Sequence, residues 1–439
     1  MSPSAGTAAP KARPWDAPPA RYPVTGRVIV PGSKSETNRA LLLASVADAA
    51  SVITGALDAR DSRLMRAALV ALGADISPLD ASGTRVTPPA VLRPAATPID
   101  VGLAGNVMRF VPPLAALAPG STRFVGDPEA SRRPVAPLLD GLRQLGAAVE
   151  GDAVPFTVAG GTLTGRSVSI DASASSQFVS GLLLAGPRFP HGLDLRHAAP
   201  DGADVPSRPH IEMTVAMLRE RGVRISCPDA TRWVVEPGPV AARDQRIEPD
   251  LTNAAVFLAV AAVTGGEVVV PGWPEHTTQG GDAIRDLLSR MGTRVWLEGD
   301  ELHARGMGGL SGVSVDLHAS SELTPIAAAL GALAQGVTTI TGVAHIRGHE
   351  TDRLNALATE LTRVGARVDE TDDGLRIEGQ GPGVLRGTRL ATYADHRLAH
   401  AAALIGAVVP GTSLDDVACT SKTLPDFPAM WAGLLRSGE

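Results

Sequence analysis

A unit of about seventy residues recurs along this chain and constrains its fold more than any other feature. Its clearest marks are glycines that follow one another at intervals of 73, 76, 70 and 73 residues, namely Gly73, Gly146, Gly222, Gly292 and Gly365. Each glycine ends an amphipathic stretch and precedes a strand-like run, which is the position of a helix C-cap. A repeat of this length predicts copies of one supersecondary unit that bury their apolar faces against their neighbours.

Six apolar segments predict the enclosed helices of these units. They are Ala40–Ala50, Phe110–Ala118, Phe178–Gly186, Ala254–Val263, Pro325–Ala334 and Leu398–Val408. A short strand-like run follows each segment, and the last of these runs, Thr412–Val417, is the weakest. An amphipathic stretch comes next, and beyond its glycine lies a two-stranded return. We therefore predict an α/β fold of six units, each a β-hairpin, an enclosed helix, a strand and an outer helix.

The ends of the chain predict how these units are divided. The sixth unit stops before any return strands, whereas Val24–Val30 reads as a strand without a unit of its own. We expect one three-unit domain over residues 33–248 and a second over 249–439 completed by 23–32. The chain would cross between them twice, which makes a hinge. Residues 1–22 hold many Pro and Ala residues with little to bury, so we expect a disordered tail there.

Composition excludes several classes of protein. The formal net charge is -6 and aromatic residues are only 3% of the chain, which argues against a broad nucleic-acid surface. The longest apolar runs reach about a dozen residues, too few to span a bilayer. No cationic start followed by an apolar run begins the chain, so we expect no secretion signal. Two cysteines, Cys227 and Cys419, are too few for a disulfide framework and fit a reducing cytoplasm.

The starts of the enclosed helices are polar although their bodies are apolar. These starts are Ser33–Arg39, Gly105–Arg109, Ser175–Gln177, Asp250–Asn253, Ser321–Thr324 and Asp395–Arg397. Capping accounts for part of this pattern, but capping does not require a cation. Lys34 and Arg397 oppose the helix dipole unless an anion binds there, which favours anion sites at these helix starts. Parallel enclosed helices would then point their starts into a cleft between two domains.

Lysine is rare in this chain, so each lysine invites an explanation. Of forty basic residues only Lys11, Lys34 and Lys422 are lysine. An ammonium shifts its pKa readily on burial and can exchange a proton, whereas a guanidinium keeps its charge. Lys34 and Lys422 both lie in motif-like loops, and we interpret them as chemically important. Chance placement of two lysines is the alternative.

The motifs taken together resemble the 5-enolpyruvylshikimate-3-phosphate synthase (EPSP synthase) family of enolpyruvyl transferases. The matching segments are Pro31–Ser35, Asn38–Leu41, Asp395–Arg397 and Lys422–Asp426, and the resemblance extends in order from Val24 to Trp431. It implies an inside-out α/β barrel with two domains of three repeated β-α-β-α-β-β units. It also implies transfer of the carboxyvinyl group of phosphoenolpyruvate to the 5-hydroxyl of shikimate 3-phosphate in aromatic amino-acid biosynthesis, with release of phosphate. The resemblance implies no metal or organic cofactor, no nucleic-acid or membrane partner, and we expect a monomer.

The resemblance also implies roles for individual residues. Those that bind shikimate 3-phosphate would be Lys34, Ser35, Arg39, Ser175, Ser176, Gln177, Ser207, Glu322 and His349. Those that bind phosphoenolpyruvate would be Lys34, Gly105, Arg133, Gln177, Arg353, Arg397 and Lys422. Glu322 would take the proton from the 5-hydroxyl, and Lys422 or Glu350 would serve proton transfer at the methylene carbon. Lys34 would contact both substrates and would belong to the catalytic residues together with Glu322, Lys422 and Glu350.

Several positions depart from the family's commonest pattern. Glu322 replaces an aspartate, His349 a lysine and His210 a tyrosine, so hydrogen bonds to the shikimate phosphate and ring hydroxyls can differ. Leu103–Asn106 replaces Asn-Ala-Gly-Thr beside the phosphoenolpyruvate pocket. Substitutions in this segment alter glyphosate sensitivity in the family, so sensitivity is open here.

Three rival interpretations are weaker. The related transferase that acts on UDP-N-acetylglucosamine usually carries a cysteine in the region of Pro119–Arg133, and this chain has none there. A P-loop nucleotide enzyme requires a glycine-lysine pair that Gly32–Ser35 lacks. A non-enzymatic clamp around nucleic acid would present basic helices, whereas the predicted inner helices are apolar.

Overall fold

The computed structural model describes residues 14–437 as a mixed α/β protein. Within these residues the α-helices are α1 (Lys34–Ser45), α2 (Arg60–Ala71), α3 (Gly105–Ala115), α4 (Ala136–Gln144), α5 (Ser176–Ala185), α6 (Pro209–Arg219), α7 (Leu251–Thr264), α8 (Ile284–Arg290), α9 (Thr324–Leu333), α10 (Arg353–Arg363), α11 (His396–Val408) and α12 (Phe427–Arg436). The odd-numbered helices coincide with the six predicted apolar segments, and the even-numbered ones are amphipathic covers.

The strands are short and numerous. They are β1 (Trp15–Asp16), β2 (Gly26–Arg27), β3 (Ser51–Thr54), β4 (Asp75–Ile76), β5 (Thr84–Thr87), β6 (Ile99–Asp100), β7 (Gly120–Val125), β8 (Ala148–Glu150), β9 (Phe156–Gly160), β10 (Ser167–Ile170), β11 (Leu193–His197), β12 (Ile225–Asp229), β13 (Arg232–Val235), β14 (Gln245–Arg246), β15 (Glu267–Pro271), β16 (Arg294–Glu298), β17 (Glu301–Arg305), β18 (Ser314–Asp316), β19 (Gln335–Thr341), β20 (Arg367–Glu370), β21 (Leu375–Gln380), β22 (Arg389–Leu390) and β23 (Ser413–Leu414).

The sheets repeat one pattern of pairing. Their strand orders are β6-β7-β9-β8, β10-β11-β13-β12, β14-β3-β5-β4, β2-β15-β17-β16, β18-β19-β21-β20 and the three-stranded β1-β23-β22. Each sheet has one parallel pair, such as β10 with β11, and its other neighbours are antiparallel. An odd-numbered helix connects the parallel strands in four of these sheets, as α5 connects β10 to β11. A parallel pair needs such a crossover, which accounts for the enclosed position of these helices.

Two sheets exchange their first strands. β2 precedes α1 along the chain but pairs with β15, and β14 precedes α7 but pairs with β3. The two connecting segments lie side by side, since Ser33 N donates to Glu248 O at 2.8 Å and Asp250 N donates to Pro31 O at 2.9 Å. The chain therefore passes twice through one narrow, hydrogen-bonded neck.

The N-terminal segment that the structure describes packs against the rest of the chain. Trp15–Asp16 pairs with Ser413–Leu414 and completes the sixth sheet, and Ala17 is buried. The predicted tail over residues 1–22 therefore extended too far, because residues 15–16 pair with β23 and form the edge strand of its sheet. Residues 1–13, the larger part of that predicted tail, lie outside the described residues. The predicted strand Val24–Val30 is reduced to Gly26–Arg27.

The buried apolar side chains form two clusters. One draws on residues 40–247, and the other on 17–30 together with 251–435. All residues of α3 and α9 are buried, as expected of a helix enclosed on every side. Within residues 14–437, no helix is long and apolar enough to cross a membrane.

The glycine period has the predicted backbone cause. All five periodic glycines have positive φ, from +74° at Gly222 to +111° at Gly73. This left-handed conformation follows the end of each outer helix, and only glycine adopts it without steric cost. The predicted end of the first enclosed helix was wrong, since α1 ends at Ser45 rather than Ala50. Its last turn tightens where Val46 N donates to Leu43 O, and the Asp48 carboxylate beyond it accepts from Ala242 N.

We expect Glu36→Gln to change how stability depends on pH. Glu36 lies in the neck, where its carboxylate accepts from Glu248 N and Gln245 Nε2, and burial raises its pKa from 4.5 to about 7. Folded Glu36 thus keeps a proton that unfolded glutamate loses, so folding weakens as pH rises from 4.5 to 7. Between pH 5 and pH 8, the free energy of unfolding in urea should shift by about 2.5 kcal/mol in favour of the variant. The matched control is Glu212→Gln at an exposed position of α6, and parallel pH curves for wild type and Glu36→Gln would contradict the expectation.

We expect Ala394→Asn to stabilise the fold. Tyr393 and Ala394 both have φ of +55°, in the turn that leads into Asp395 and Arg397. A left-handed alanine costs about 1 kcal/mol, whereas asparagine adopts this conformation more readily. Ala394 is exposed, so the amide meets no packing obstacle. The melting temperature should rise by about 2 °C, and Ala81→Asn, in an exposed turn without positive φ, is the control. An equal effect at both positions would contradict this account of the turn.

Candidate functional site

Polar side chains from both halves of the chain meet in one narrow cleft. Two adjoining cavities of about 20 and 40 Å³ lie there, and Lys34, Glu322 and Arg397 line both. Such volumes hold a few water molecules, so a larger ligand enters only if the walls or side chains move. The neck formed by residues 32–33 and 248–250 adjoins Lys34, whose backbone N donates to Asp250 Oδ2 at 3.2 Å.

Most of the predicted site residues line these cavities. The larger one is bordered by Lys34, Gly105, Arg133, Ser175, Gln177, Glu322, His349, Glu350, Arg353, Arg397 and Lys422. Ser35 and Ser207 border the smaller one. Arg39 and Ser176 border neither. Arg39 is 1% exposed, and its guanidinium donates to Thr214, Ser35, Ser180 and His210, so most of its donors are held by protein groups.

A buried carboxylate organises the cations on one side of the cleft. Glu350 forms a short contact with Lys422 Nζ, accepts from Arg353 NH2 at 2.8 Å, and lies 4.0 Å from Arg133. Burial alone would raise the pKa of Glu350, but Lys422 and Arg353 outweigh it and hold the pKa well below its usual range. Burial lowers the pKa of Lys422. A proton donor and an acceptor therefore lie in direct contact with one another.

Glu322 lies on the other side of the larger cavity and pairs with Arg397. Arg397 NH2 donates to Glu322 Oε2 at 2.8 Å, and His210 Nε2 lies 3.9 Å from the same oxygen. Burial would raise the pKa of Glu322, but Arg397 is the largest of the charges that oppose it, and the pKa is well below its usual value. The side chain is therefore ionised at neutral pH and able to accept a proton.

Helix starts position these charges as their polarity predicted. Ser33 caps α1 by accepting from Glu36 N, and Asp395 caps α11 by accepting from Arg397 N at 2.9 Å. Asp395 also accepts from Arg353 Nε at 2.7 Å, so one carboxylate fixes a helix start and a cleft arginine together. Both Asp395 and Arg353 are almost completely buried, which makes this pair rigid.

Two residues that contact site residues had no individual role predicted from the sequence. Asp61, at the start of α2, lies 3.5 Å from Lys34 Nζ and is 2% exposed. Arg109 donates to Gln177 Oε1 at 2.8 Å and to Pro134 O, and so orients the Gln177 amide. The available signal for Arg109 was its place in the polar start of α3. Asp61 carried no such signal, because it begins an outer helix.

Neutral histidines from both walls lie around the cleft. Burial lowers the pKa of both His210 and His345 to about 4 and holds that of His349 well below its usual value. Their rings therefore contribute hydrogen bonds rather than charge at neutral pH. Among residues 14–437 no group of three or more His, Cys, Asp or Glu side chains is placed to hold a metal ion.

Comparison with known protein families finds one match to nearly the whole chain. Residues 19–431 match the family described as EPSP synthase (3-phosphoshikimate 1-carboxyvinyltransferase). A relative from Kocuria rhizophila, named 3-phosphoshikimate 1-carboxyvinyltransferase, is 53% identical over 426 residues. That alignment covers 94% of this chain and 95% of the relative.

Solved structures show the same likeness of fold. EPSP synthase from Acinetobacter baumannii has a TM-score of 0.80 at 23% identity, covering 96% of this chain and 98% of that one. The enolpyruvyl transferase NikO from Streptomyces tendae has a TM-score of 0.73 at 21% identity, covering 94% and 96%.

Proposed function

This chain belongs to the EPSP synthase family, and from that membership we infer that it is a 3-phosphoshikimate 1-carboxyvinyltransferase. It transfers the carboxyvinyl group of phosphoenolpyruvate to the 5-hydroxyl of shikimate 3-phosphate and releases inorganic phosphate. The observation that carries the assignment to this cleft is the set of cations around two separate carboxylates, Glu322 and Glu350. Two multiply charged anions can approach one another only where such charge is concentrated and water is scarce.

The phosphoenolpyruvate subsite of the proposal is the wall around Glu350. Its members are Lys34, Gly105, Arg133, Gln177, Arg353, Arg397 and Lys422. The guanidinium groups suit carboxylate and phosphate oxygens through paired N–H donors. An added Cβ at Gly105 would lie 3.0 Å from Gln177 Oε1 and 3.1 Å from Arg133, so a larger residue would displace the Gln177 amide and the Arg133 guanidinium.

The shikimate 3-phosphate subsite of the proposal adjoins it across Lys34. Ser35, Ser175, Ser207, Gln177, Glu322 and His349 would contact the ligand directly. For Arg39 and Ser176 we propose a supporting role. Arg39 donates to Ser35 O at 3.0 Å, and its ring of partners fixes the start of α1 against α6. Ser176 is the first residue of α5, directly after the capping Ser175.

We assign proton removal from the 5-hydroxyl to Glu322. With Arg397 paired to it, Glu322 is a weak base, because the guanidinium stabilises the carboxylate. A substrate carboxylate that binds Arg397 would draw away this cation, and the pKa of Glu322 would then rise towards neutrality. Binding of phosphoenolpyruvate thus strengthens the base that activates the second substrate.

We assign proton transfer at the methylene carbon to the Lys422–Glu350 pair. The hydroxyl oxygen bonds to C2 of phosphoenolpyruvate while C3 accepts a proton and becomes a methyl group. The methyl group then loses a proton as the C2–O bond to phosphate breaks. Lys422 and Glu350 are in contact, so a proton given to C3 can be taken back by the same pair.

The finer architecture belongs to the same proposal. We propose that residues 33–248 and 249–439 with 23–32 are two domains of an inside-out α/β barrel. The division of buried apolar side chains into two clusters supports this, as does the paired neck at Ser33 and Glu248. The protein would act in the cytoplasm as a monomer, and unpaired Cys227 and Cys419 are compatible with that compartment.

The acceptor specificity tests the proposed function. Purified protein is incubated with phosphoenolpyruvate and either shikimate 3-phosphate or UDP-N-acetylglucosamine, and phosphate release is followed. Release with shikimate 3-phosphate alone is expected. Release only with the nucleotide sugar would assign the chain to the other branch of transferases, and no release with either would remove the function altogether.

A further inference from the structure

A hydrogen-bonded chain of three side chains crosses the cleft at Ser207. Ser207 Oγ lies 3.1 Å from Ser321 Oγ, which in turn lies 2.9 Å from His345 Nε2. Ser207 lies within residues 33–248, whereas Ser321 and His345 lie within residues 249–439. Ser321 is completely buried, so its hydroxyl has no solvent partner.

The backbone of Ser207 is held from the same opposite wall. Ser207 N donates to His318 O at 3.0 Å. Its φ is +51°, a left-handed conformation that costs a serine about 1 kcal/mol or more. Such strain persists only where surrounding contacts determine it. Here the N–H and the hydroxyl of Ser207 bond across the cleft, whereas its carbonyl accepts from His210 N on its own side. The position of Ser207 is therefore set by the opposite wall of the cleft as well as by its own loop.

The charge state of His345 limits the direction of the hydrogen bonds. Burial lowers its pKa to about 4, and His318 and Arg353 act in the same sense, so the ring is neutral at pH 7. His318 and His349 face the ring edge-on, at 5.7 and 5.9 Å between centroids. A neutral ring carries one proton, on Nδ1 or on Nε2.

A phosphate dianion selects one of these two arrangements, because it only accepts hydrogen bonds. Ser207 must then donate its single hydroxyl proton to the phosphate, and its oxygen is left to accept from Ser321. Ser321 has likewise given its only proton, so its oxygen accepts from His345, which must carry the proton on Nε2. The hydroxyl protons of Ser207 and Ser321 then both point towards the ligand.

We propose that Ser321 and His345 are positioning residues that orient the Ser207 hydroxyl proton towards the 3-phosphate of the acceptor substrate. The proposal rests on the proposed function, since it takes shikimate 3-phosphate as the ligand at Ser207. Residues 249–439 would then take part in recognising this phosphate, and they would do so only when the two walls of the cleft are in contact.

The test measures KM for each of the two substrates in variants of Ser207, Ser321 and His345. Ser321→Ala and His345→Leu are each expected to raise KM for shikimate 3-phosphate about tenfold, to leave KM for phosphoenolpyruvate within twofold, and to lower kcat less than threefold. His345→Gln, which restores a donor near Nε2, should recover most of the affinity. Because Ser321 acts through Ser207, adding Ser321→Ala to Ser207→Ala should change KM no further.

The controls keep this test independent of folding and of the main assignment. Ser289→Ala removes an exposed hydroxyl on α8 that donates to Arg285 O, and it should leave both KM values unchanged. Unchanged KM for shikimate 3-phosphate in Ser321→Ala would overturn the proposal, and so would equal losses for both substrates or an added effect in the double variant. Wild-type protein without any activity would instead remove the proposed function itself.

Discussion

Glu322→Gln is expected to lower kcat by about 10²- to 10⁴-fold, the range for loss of a general base. The amide keeps the shape of the side chain and can still accept a hydrogen bond from Arg397, but it cannot hold the proton of the 5-hydroxyl. Glu322 is the carboxylate nearest His210 and Arg397 in the cavity that Ser35 and Ser207 also line. Steady-state kinetics of phosphate release measures the loss.

Substrate affinity shows whether this loss is chemical. Dissociation constants for shikimate 3-phosphate and phosphoenolpyruvate, measured by calorimetry, should change less than tenfold in Glu322→Gln. Glu212→Gln, at an exposed position of α6, serves as the matched control and should keep full turnover. Turnover within threefold of wild type in Glu322→Gln would take Glu322 out of the mechanism.

Lys422→Arg is expected to lower kcat by about 10²-fold or more, although the positive charge is kept. A guanidinium does not give up its proton near neutral pH, whereas burial lowers the pKa of Lys422 and Glu350 contacts its ammonium directly. The same kinetic assay measures the effect. Lys422→Met is the companion variant, because it removes charge and proton together.

The two Lys422 variants distinguish a proton carrier from a fixed charge. If Lys422 carries a proton, both variants lose turnover, while Lys422→Arg retains more affinity for phosphoenolpyruvate than Lys422→Met does. Near-normal turnover in Lys422→Arg would show that charge alone suffices there, and the proton transfer at C3 would have to pass through Glu350 by another route.

Features with a local cause were predictable from the sequence. The mixed α/β fold and the resemblance to EPSP synthases were both confirmed. The repeat could be found because each periodic glycine is required by the positive φ of its own backbone. The apolar helices with polar starts were visible for the same reason, since burial and capping act within a few residues. These local signals also predicted that Lys34 and Arg397 share a cleft.

Features that depend on distant pairings were not predictable. Asp61 beside Lys34, Asp395 beside Arg353 and Ser321 beside Ser207 join residues 27, 42 and 114 positions apart. Nothing in the composition around any of them indicates its partner. The two-residue strands at Trp15 and Gln245 likewise show no alternation of apolar and polar residues in the sequence. They form only because they pair with β23 and β3.

The central claim is that one cleft removes a proton from the acceptor hydroxyl and delivers a proton to the methylene carbon. Running the reaction in deuterated water and analysing the product by mass spectrometry tests this claim most directly. Addition followed by elimination passes through a methyl group, so the vinyl carbon of enolpyruvylshikimate 3-phosphate should carry deuterium, and so should phosphoenolpyruvate recovered before completion. Product formed with phosphate release but without deuterium at that carbon would contradict the claim.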